Sequence, residues 1–351
     1  MSELLHEAFK NAGTKAGIEI WRIEDMEPVP VPKHQYGNFY TGDSYIVLKT
    51  TGDEPRLSWD VHFWLGSKTS TDEAGAAAIL SVNMDDHRFN GAAIQHRETQ
   101  GYESKQFLGY FEPAIRYLEG GHASGFNHVT INAGVEKRLF QIKGKRNVRV
   151  RQVDASVASM NKGDCFILDI DHDIYVFVGE KAKSVERLKA ITVANQIRDQ
   201  DHNGRGNIEI IDPYSREGDV EKFFEALGSG DLDSVSDDSE GGDDEEFERG
   251  DIQEVTLSEI SDSTGNMKIT KLPKPFTKEQ LNSKECYILD TGRSGIYVWV
   301  GRNSNEKEKA EAMNRAQQYL KQHNLPPWVH VSKVPEEIEP TAFKQYFEDW
   351  N

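Results

Sequence analysis

Short apolar runs bounded by turn residues dominate the hydrophobic pattern of this chain. The first, Ile18-Glu19-Ile20-Trp21-Arg22-Ile23, alternates apolar and polar residues as a half-buried strand does. Each of three later runs is aromatic and ends in glycine: Phe63-Trp64-Leu65-Gly66, Val176-Phe177-Val178-Gly179 and Val298-Trp299-Val300-Gly301. The segments that follow these glycines predict long helices over about 71–86, 183–199 and 305–321. Shorter helices are predicted over about 104–111, over about 220–227 and near the C-terminus.

One motif occurs three times, at intervals of 121 residues, just before these aromatic runs. Its copies begin Gly42-Asp43-Ser44-Tyr45, Gly163-Asp164-Cys165-Phe166 and Lys284-Glu285-Cys286-Tyr287. A glutamate also stands seven residues after each strand-ending glycine, at Glu73, Glu186 and Glu308. Solenoid repeats have periods of about 20–50 residues, so this longer period indicates three copies of a whole small domain.

The predicted fold is α/β (α+β), because strands alternate with one long and one short helix in each copy. We assign an N-terminal tail to residues 1–16 and the three repeats to 17–134, 135–228 and 251–351. Residues 229–250 form a predicted flexible linker. Between Asp231 and Glu248 it has ten acidic residues and no lysine or arginine, too little apolar surface to fold.

Charge and composition exclude several classes of protein. The net charge of −18 argues against nucleic acid as a partner, because phosphate contacts need a basic face. No apolar stretch is long enough to span a membrane, and the first residues lack the pattern of a signal peptide. Cys165 and Cys286 occupy equivalent positions in apolar runs, which predicts two buried thiols and a cytoplasmic protein.

The sequence does not predict an enzyme. Gly66-Ser67-Lys68-Thr69 lacks the upstream glycine of a phosphate-binding loop, and Gly204-Arg205-Gly206 lacks the third glycine of a dinucleotide fingerprint. The histidines show no spacing typical of a metal site, and His96 is expected to hold a hydrogen bond inside its domain.

Several sequence blocks closely resemble the gelsolin family of actin-regulating proteins. Those in the first repeat are Val29–Pro32, Tyr36–Asp43, Asp72–Ile79, Gln95–Glu98 and Gly120–Phe126. The later repeats match through the motif above, through Leu139–Gly144 and through Phe343–Phe347. The resemblance implies repeats with a central mixed sheet between a long helix and a short helix. It also implies a monomeric, cytoskeletal protein that severs actin filaments and caps their barbed ends under calcium control.

Paired acids are the candidate calcium ligands. In a single copy, an acid before a strand and a glutamate in the first helical turn would be explained by a capped turn and a helix N-terminus. Their recurrence favours a hard cation, which prefers several oxygen ligands. The resemblance implies calcium sites at Gly42, Asp43, Glu73 and the His122 carbonyl; at Gly163, Asp164 and Glu186; and at Glu285 and Glu308, where Lys284 replaces glycine. It implies a further ion, shared with actin, at Asp85 and the carbonyls of Gly91 and Ala93.

Actin contacts are predicted on two helices. The pattern alone would let the helix from Glu73 cover its own core, whereas the resemblance places it in the cleft between the outer subdomains of actin. The residues assigned to that surface are Ile79, Leu80, Val82, Asn83 and Met84. Arg187, Lys189 and Arg198 on the second long helix are candidates for contact with the filament side.

A basic run stands out in this acidic protein, at Lys137, Arg138, Lys143, Lys145, Arg146, Arg149 and Arg151. It is consistent with a solvated strand edge or with binding of phosphoinositide head groups. The resemblance implies that such lipids compete with actin here. Two alternatives to severing stay open: capping of barbed ends alone, and a calcium-dependent phosphoinositide adaptor without an effect on actin.

Overall fold

The structure, a computed structural model, describes residues 5–122, 137–144, 148–170, 172–237, 255–261, 268–292, 295–304, 306–323, 325–348 and 350. The chain forms two compact units. Unit 1 comprises segments 1–31, 43–107 and 250–351, and unit 2 comprises segments 32–42 and 108–249.

Strands and helices alternate along the chain as the sequence predicts. The strands are β1 (Gly17–Glu24), β2 (Glu27–Pro30), β3 (Asn38–Tyr40), β4 (Ser44–Thr51), β5 (Ser58–Leu65), β6 (Ile94–Thr99), β7 (Arg116–Leu118), β8 (Lys137–Lys143), β9 (Arg149–Val153), β10 (Cys165–Ile170), β11 (Asp173–Val178), β12 (Asn207–Ile211), β13 (Thr256–Ser261), β14 (Lys268–Lys271), β15 (Cys286–Asp290), β16 (Ile296–Val300) and β17 (Val331–Pro335). The helices are α1 (Thr71–Arg88), α2 (Lys105–Leu108), α3 (Ser184–Asp201), α4 (Glu217–Leu227), α5 (Glu306–Gln322) and α6 (Thr341–Lys344).

Each repeat builds the same four-stranded arrangement. Two successive antiparallel pairings are followed by a long helix and a strand that returns parallel to its neighbour. In the first repeat these strands are β1, β4, β5 and β6, with α1 as the crossover helix. Strands β8, β10, β11 and β12 repeat this order in unit 2, as do β13, β15, β16 and β17 in unit 1. The predicted α/β fold is confirmed.

The strand-ending glycines hold the threefold motif in place. The Gly66 N–H donates to the Asp43 carbonyl (3.0 Å), and Gly179 and Gly301 donate to the carbonyls of Asp164 and Glu285 (both 3.1 Å). At Gly179, a Cβ atom would lie 2.6 Å from the Asp164 oxygen. Glycine is needed because this approach leaves no room for a side chain.

Unit 1 is a single ten-stranded sheet because repeats 1 and 3 join edge to edge. Strand β17 pairs antiparallel with β6, with Ser332 opposite His96 and Lys333 opposite Gln95. One apolar cluster continues beneath α1 and α5 across this junction.

Unit 2 contains a seven-stranded sheet, in the order β12-β11-β10-β8-β9-β7-β3. Helix α3 packs over one apolar cluster of this sheet, and α4 contributes Phe223, Phe224 and Leu227 to another. Cys165 in unit 2 and Cys286 in unit 1 are buried free thiols, as predicted. Within the described residues, none of the helices is long and apolar enough to cross a membrane.

The start of the predicted linker is more ordered than its composition suggests. Residues Leu232–Ser234 form a short 3-10 helix, and Val235 is buried in an apolar cluster of unit 2. The Lys162 N–H also donates to the Ser236 carbonyl (2.9 Å). The acidic run is interrupted here by Val235, whose apolar side chain is 3% exposed and packs into this cluster. Residues 238–254 lie outside the described residues.

Candidate functional site

The first acid pair lies at the start of β4 and the start of α1, both in unit 1. Asp43 is fully buried, and the Arg22 Nη1 atom lies 3.8 Å from its Oδ2 atom. Glu73 closes a capping box with Ser70, in which the Ser70 Oγ atom accepts from the Glu73 N–H (3.2 Å). The other two predicted ligands, Gly42 and His122, belong to unit 2.

The second acid pair lies wholly in unit 2. The Asp164 carboxylate accepts from the side-chain amides of Gln141 (2.6 Å) and Asn161 (2.8 Å). The Glu186 carboxylate accepts from the backbone N–H groups of Gly144 (2.9 Å) and Lys183 (3.1 Å). Both acids are buried.

The two carboxylates of this second pair both lie close enough to Cys165 to influence the pKa of its thiol. Burial raises the pKa of Cys165 to about 12, and the charges of Glu186 and Asp164 add to the increase. Carbonyl and carboxylate oxygens are the ligands that calcium prefers. Two buried acidic side chains beside one thiol, with Gly163 directly before Asp164 in sequence, fit a divalent cation of this kind.

The third acid pair is described in part. The Glu285 carbonyl accepts from Gly301, as in the other repeats, and the Glu285 side chain is half-buried. Glu308 lies on α5, but its side chain is outside the described residues. Lys284 is exposed where the other repeats have glycine.

Asp85, the predicted ligand of a calcium ion shared with actin, is bound within unit 1. Its Oδ1 atom accepts from the Ala93 N–H (2.9 Å), and its Oδ2 atom accepts from Gln95 Nε2 (2.6 Å). The Lys333 ammonium of repeat 3 lies 3.1 Å from the same Oδ2 atom. Asp85 and Lys333 are both buried, so a cation from another repeat already neutralises this acid.

Helix α1 exposes part of the predicted actin surface. Ile79 is 63% exposed, and Leu80 and Val82 are half-buried. Met84 is fully buried in the core of unit 1, so its assignment to this surface is wrong. The reason is helical phase: Met84 lies seven residues after Ala77, on the face turned to the sheet. Asn83 is also buried, and its Oδ1 atom accepts from the His6 N–H (3.0 Å).

The cationic candidates on α3 all have local partners. Arg187 donates to Asp212 (3.1 Å), and Arg198 donates to its neighbour Asp199 (2.8 Å). Lys189 Nζ donates to the Pro113 carbonyl (2.5 Å). The three side chains remain between about a third and a half exposed, so they stay accessible to a partner.

The basic run is divided between inward and outward side chains. Arg138 binds Asp169 and Asp201, and these two carboxylates raise its pKa despite burial. Its assignment to a lipid-binding surface is therefore wrong, because its charge is used inside unit 2. Lys137 donates to the Leu227 carbonyl (3.0 Å) yet remains exposed, as does Arg151.

The remaining four members of the basic run are found at the end of β8, at the start of β9 and in the segment between these strands. Lys143 and Arg149 are half-buried on β8 and β9. Lys145 and Arg146 lie outside the described residues.

Sequence reasoning missed a group of histidines in unit 1. His62 and His96 lie 34 residues apart in the chain, but β5 and β6 pair with these two residues directly opposite. Their spacing along the chain does not predict that the two imidazoles lie side by side. The register of the two strands would have revealed it.

The repeated fold and the repeated acid pairs define the class of protein. A family model described as the gelsolin repeat matches residues 25–108, 146–214 and 269–344. The chain belongs to the gelsolin family.

Curated relatives match almost all of this chain. The present chain is 55% identical to gelsolin from Drosophila melanogaster, and the alignment covers 99% of the present chain and 44% of that relative. It is 46% identical to "Actin depolymerising venom protein gelsolin 1" from Platymeris rhadamanthus, over 99% of the chain and 92% of that protein. It is also 46% identical to cytoplasmic gelsolin from Homarus americanus, over 98% of the chain and 46% of that relative. The chain thus spans about half the length of two of these relatives and nearly all of the third.

Proposed function

We propose that this chain is a calcium-regulated actin-binding protein that severs actin filaments and caps their barbed ends. The observation that carries this proposal is the match, over 92% of its length, to a relative named for actin depolymerisation. All three gelsolin repeats of the present chain fall within the aligned region. The proposed activity is noncatalytic, is cytoplasmic and acts on the cytoskeleton.

Helix α1 supplies the proposed wedge into actin. Ile79 projects an apolar side chain into solvent, and Val82 lies one turn further along the same helix. An exposed apolar stripe on a helix suits a hydrophobic cleft on a partner. We assign the remaining contacts to Leu80 on this helix and, for the filament side, to Arg187, Lys189 and Arg198 on α3.

Repeat 3 supplies the proposed calcium control. Lys333 neutralises Asp85 inside the joined sheet, in the place where the resemblance puts a calcium ion shared with actin. The ammonium and the ion would require the same carboxylate oxygen. Calcium at Asp85, as cofactor, would therefore favour a state in which β17 has left β6 and Asp85 faces actin.

Phosphoinositides are proposed inhibitors of the same activity. Arg151 and Lys137 remain exposed on neighbouring strands of unit 2, where they can attract anionic head groups. Vesicle sedimentation with and without phosphoinositide tests this part: Arg151→Ala should weaken binding, whereas Arg138→Ala should act through stability.

A seeded assembly assay with labelled actin tests the proposed function. In calcium, the protein should stop growth from barbed-end seeds, and Ile79→Asp should weaken this block at least about tenfold, since one buried charge costs more than 1.4 kcal/mol. Tyr214→Asp is the matched control, because the Tyr214 side chain is 92% exposed in unit 2 and is not part of the surface assigned to actin. Unchanged barbed-end growth with the unmodified protein would refute the proposal. Blocked growth without an increase in filament number would favour capping alone.

A further inference from the structure

Three polar side chains converge on one face of the sheet in unit 1, beside β5 and β6. His62 and His96 are opposite each other in the parallel register, and their rings stack with centroids 4.3 Å apart. Asp60 lies two residues before His62, on the same face of β5, and its Oδ1 atom is 2.7 Å from His96 Nε2. One ligand atom from each of the three lies within 4.8 Å of the other two.

Each histidine is held by a second polar group through its other ring nitrogen. The His62 Nδ1 atom is 2.9 Å from Glu98 Oε1, and the His96 Nδ1 atom is 3.0 Å from Ser332 Oγ. Glu98 is itself fixed by the N–H and hydroxyl groups of Ser104 (both 2.8 Å). Such outer partners orient imidazoles and set their tautomers in protein metal sites.

We propose that Asp60, His62 and His96 form a binding site for a divalent transition metal, with zinc as its representative. His62 would bind through Nε2, because Nδ1 faces Glu98, and His96 would bind through Nε2 in place of its hydrogen bond to Asp60. Two imidazoles, a carboxylate and a water molecule give the four ligands that zinc prefers. Calcium prefers oxygen ligands and six or more of them, so this site is chemically distinct from the acid pairs.

The neighbouring side chains can accommodate a metal ion at His96 Nε2, in place of the hydrogen bond to Asp60, without a net loss of protons. When a metal takes Nε2 of His96, the proton of that imidazole moves to Nδ1 and is donated to Ser332 Oγ. The Ser332 hydroxyl then donates to His330 Nε2, which is 2.9 Å away. His330 in turn carries its proton on Nδ1, 3.5 Å from Glu98 Oε2. Asp60 and Glu98 together balance the two positive charges of the ion.

Zinc titration calorimetry of the full chain in buffer without calcium, where β17 stays paired with β6 and Ser332 stays beside His96, tests the proposal. One zinc ion should bind. His62→Gln and His96→Gln should each weaken binding by more than about 100-fold, because a lost ligand costs more than a lost orienting group. Ser332→Ala should weaken it about tenfold. His172→Gln should have no effect, since His172 is an exposed histidine of unit 2.

Diffraction from zinc-soaked crystals of the unmodified protein, measured at the zinc absorption edge, gives an answer that needs no variant. An anomalous peak bounded by Asp60, His62 and His96 would support the site. Peaks at other positions alone, or an affinity unchanged in both glutamine variants, would overturn it. A variant with a lowered melting temperature in metal-free buffer is set aside, and the diffraction result then decides.

Discussion

The Lys333 ammonium lies 3.1 Å from Asp85 Oδ2, and both side chains are buried where β17 meets β6. A strand pairing and an ion pair therefore join repeats 1 and 3 at the same place. A buried ion pair is costly to break from one side, because the remaining charge has lost its counterion.

Replacing Lys333 with methionine should lower the free energy of unfolding of unit 1 by about 3–5 kcal/mol. Asp85→Asn should also destabilise unit 1, because it leaves the buried Lys333 ammonium without its counterion. The double variant should cost less than the sum of the two, which a double-mutant cycle from urea titrations measures. Lys321→Met is the control on an exposed position of α5 and should change stability by less than about 0.5 kcal/mol. Additive effects at residues 85 and 333 would contradict a direct ion pair.

Asp201 at the end of α3 should make unit 2 sensitive to acid. Its carboxylate lies 2.8 Å from Arg138 and 3.4 Å from Arg116. Burial opposes ionisation of Asp201, but these two guanidinium groups outweigh it and lower its pKa below the ordinary 3.8. A carboxyl group whose pKa is lower in the folded state than in the unfolded state contributes its full stabilisation at a pH above the unfolded-state pKa. This stabilisation is lost as the pH falls through the folded-state pKa.

Asp201→Asn should therefore cost about 2 kcal/mol of unfolding free energy at pH 7, and the difference from the unmodified protein should shrink below a pH of about 4. Urea titrations at the two pH values measure this. Asp199→Asn is the matched control, because Asp199 is exposed on the same helix and pairs with Arg198. An equal loss at both pH values would mean that packing, not charge, explains the effect.

Gly179 should tolerate no side chain. Alanine there would bring its Cβ atom within 2.5 Å of the Lys162 oxygen, so the turn after β11 would have to shift. We expect Gly179→Ala to cost about 3 kcal/mol or more. Gly218→Ala in α4 meets no atom within 4 Å and should be neutral or stabilise by up to about 1 kcal/mol. Thermal unfolding of the two variants compares them, and similar melting temperatures would contradict the close approach at Gly179.

Glu186 should contribute to calcium binding in unit 2. Glu186→Gln keeps an acceptor for the Gly144 and Lys183 N–H groups but removes the charge beside Asp164. The loss of a ligand should exceed the 10- to 100-fold cost of losing an orienting group, and one calcium ion fewer should bind by calorimetry at micromolar concentrations, about 10⁻⁶ M. Asp199→Asn again serves as the control for a general charge effect. A full complement of calcium in the Glu186 variant would place the ion elsewhere.

Local patterns were sufficient for much of the fold. Strands, hairpins and long helices follow from alternation, turn residues and caps, and the threefold motif predicted that their arrangement would recur. The pairing of β17 with β6 could not be predicted, because it joins the edges of two repeats and depends on no local signal. It lets Lys333 reach an acid 248 residues away.

In the candidate site, too, local sequence patterns predicted some residues, whereas the position of others depends on contacts between distant parts of the chain. The acid pairs could be found because they recur at fixed positions. The burial of Met84 depends on the rotation of α1 about its axis, and the burial of Arg138 depends on Asp201, on another element. His62 and His96 become neighbours through strand register alone.

Fluorescence microscopy of single actin filaments tests the central claim most directly, that calcium releases a surface which repeat 3 masks through Lys333. The unmodified protein should break filament shafts in calcium and leave them intact in chelator. Lys333→Met should break filaments in chelator as well, whereas Lys321→Met should behave like the unmodified protein. Intact filaments with Lys333→Met in chelator, together with normal severing in calcium, would contradict masking by this residue.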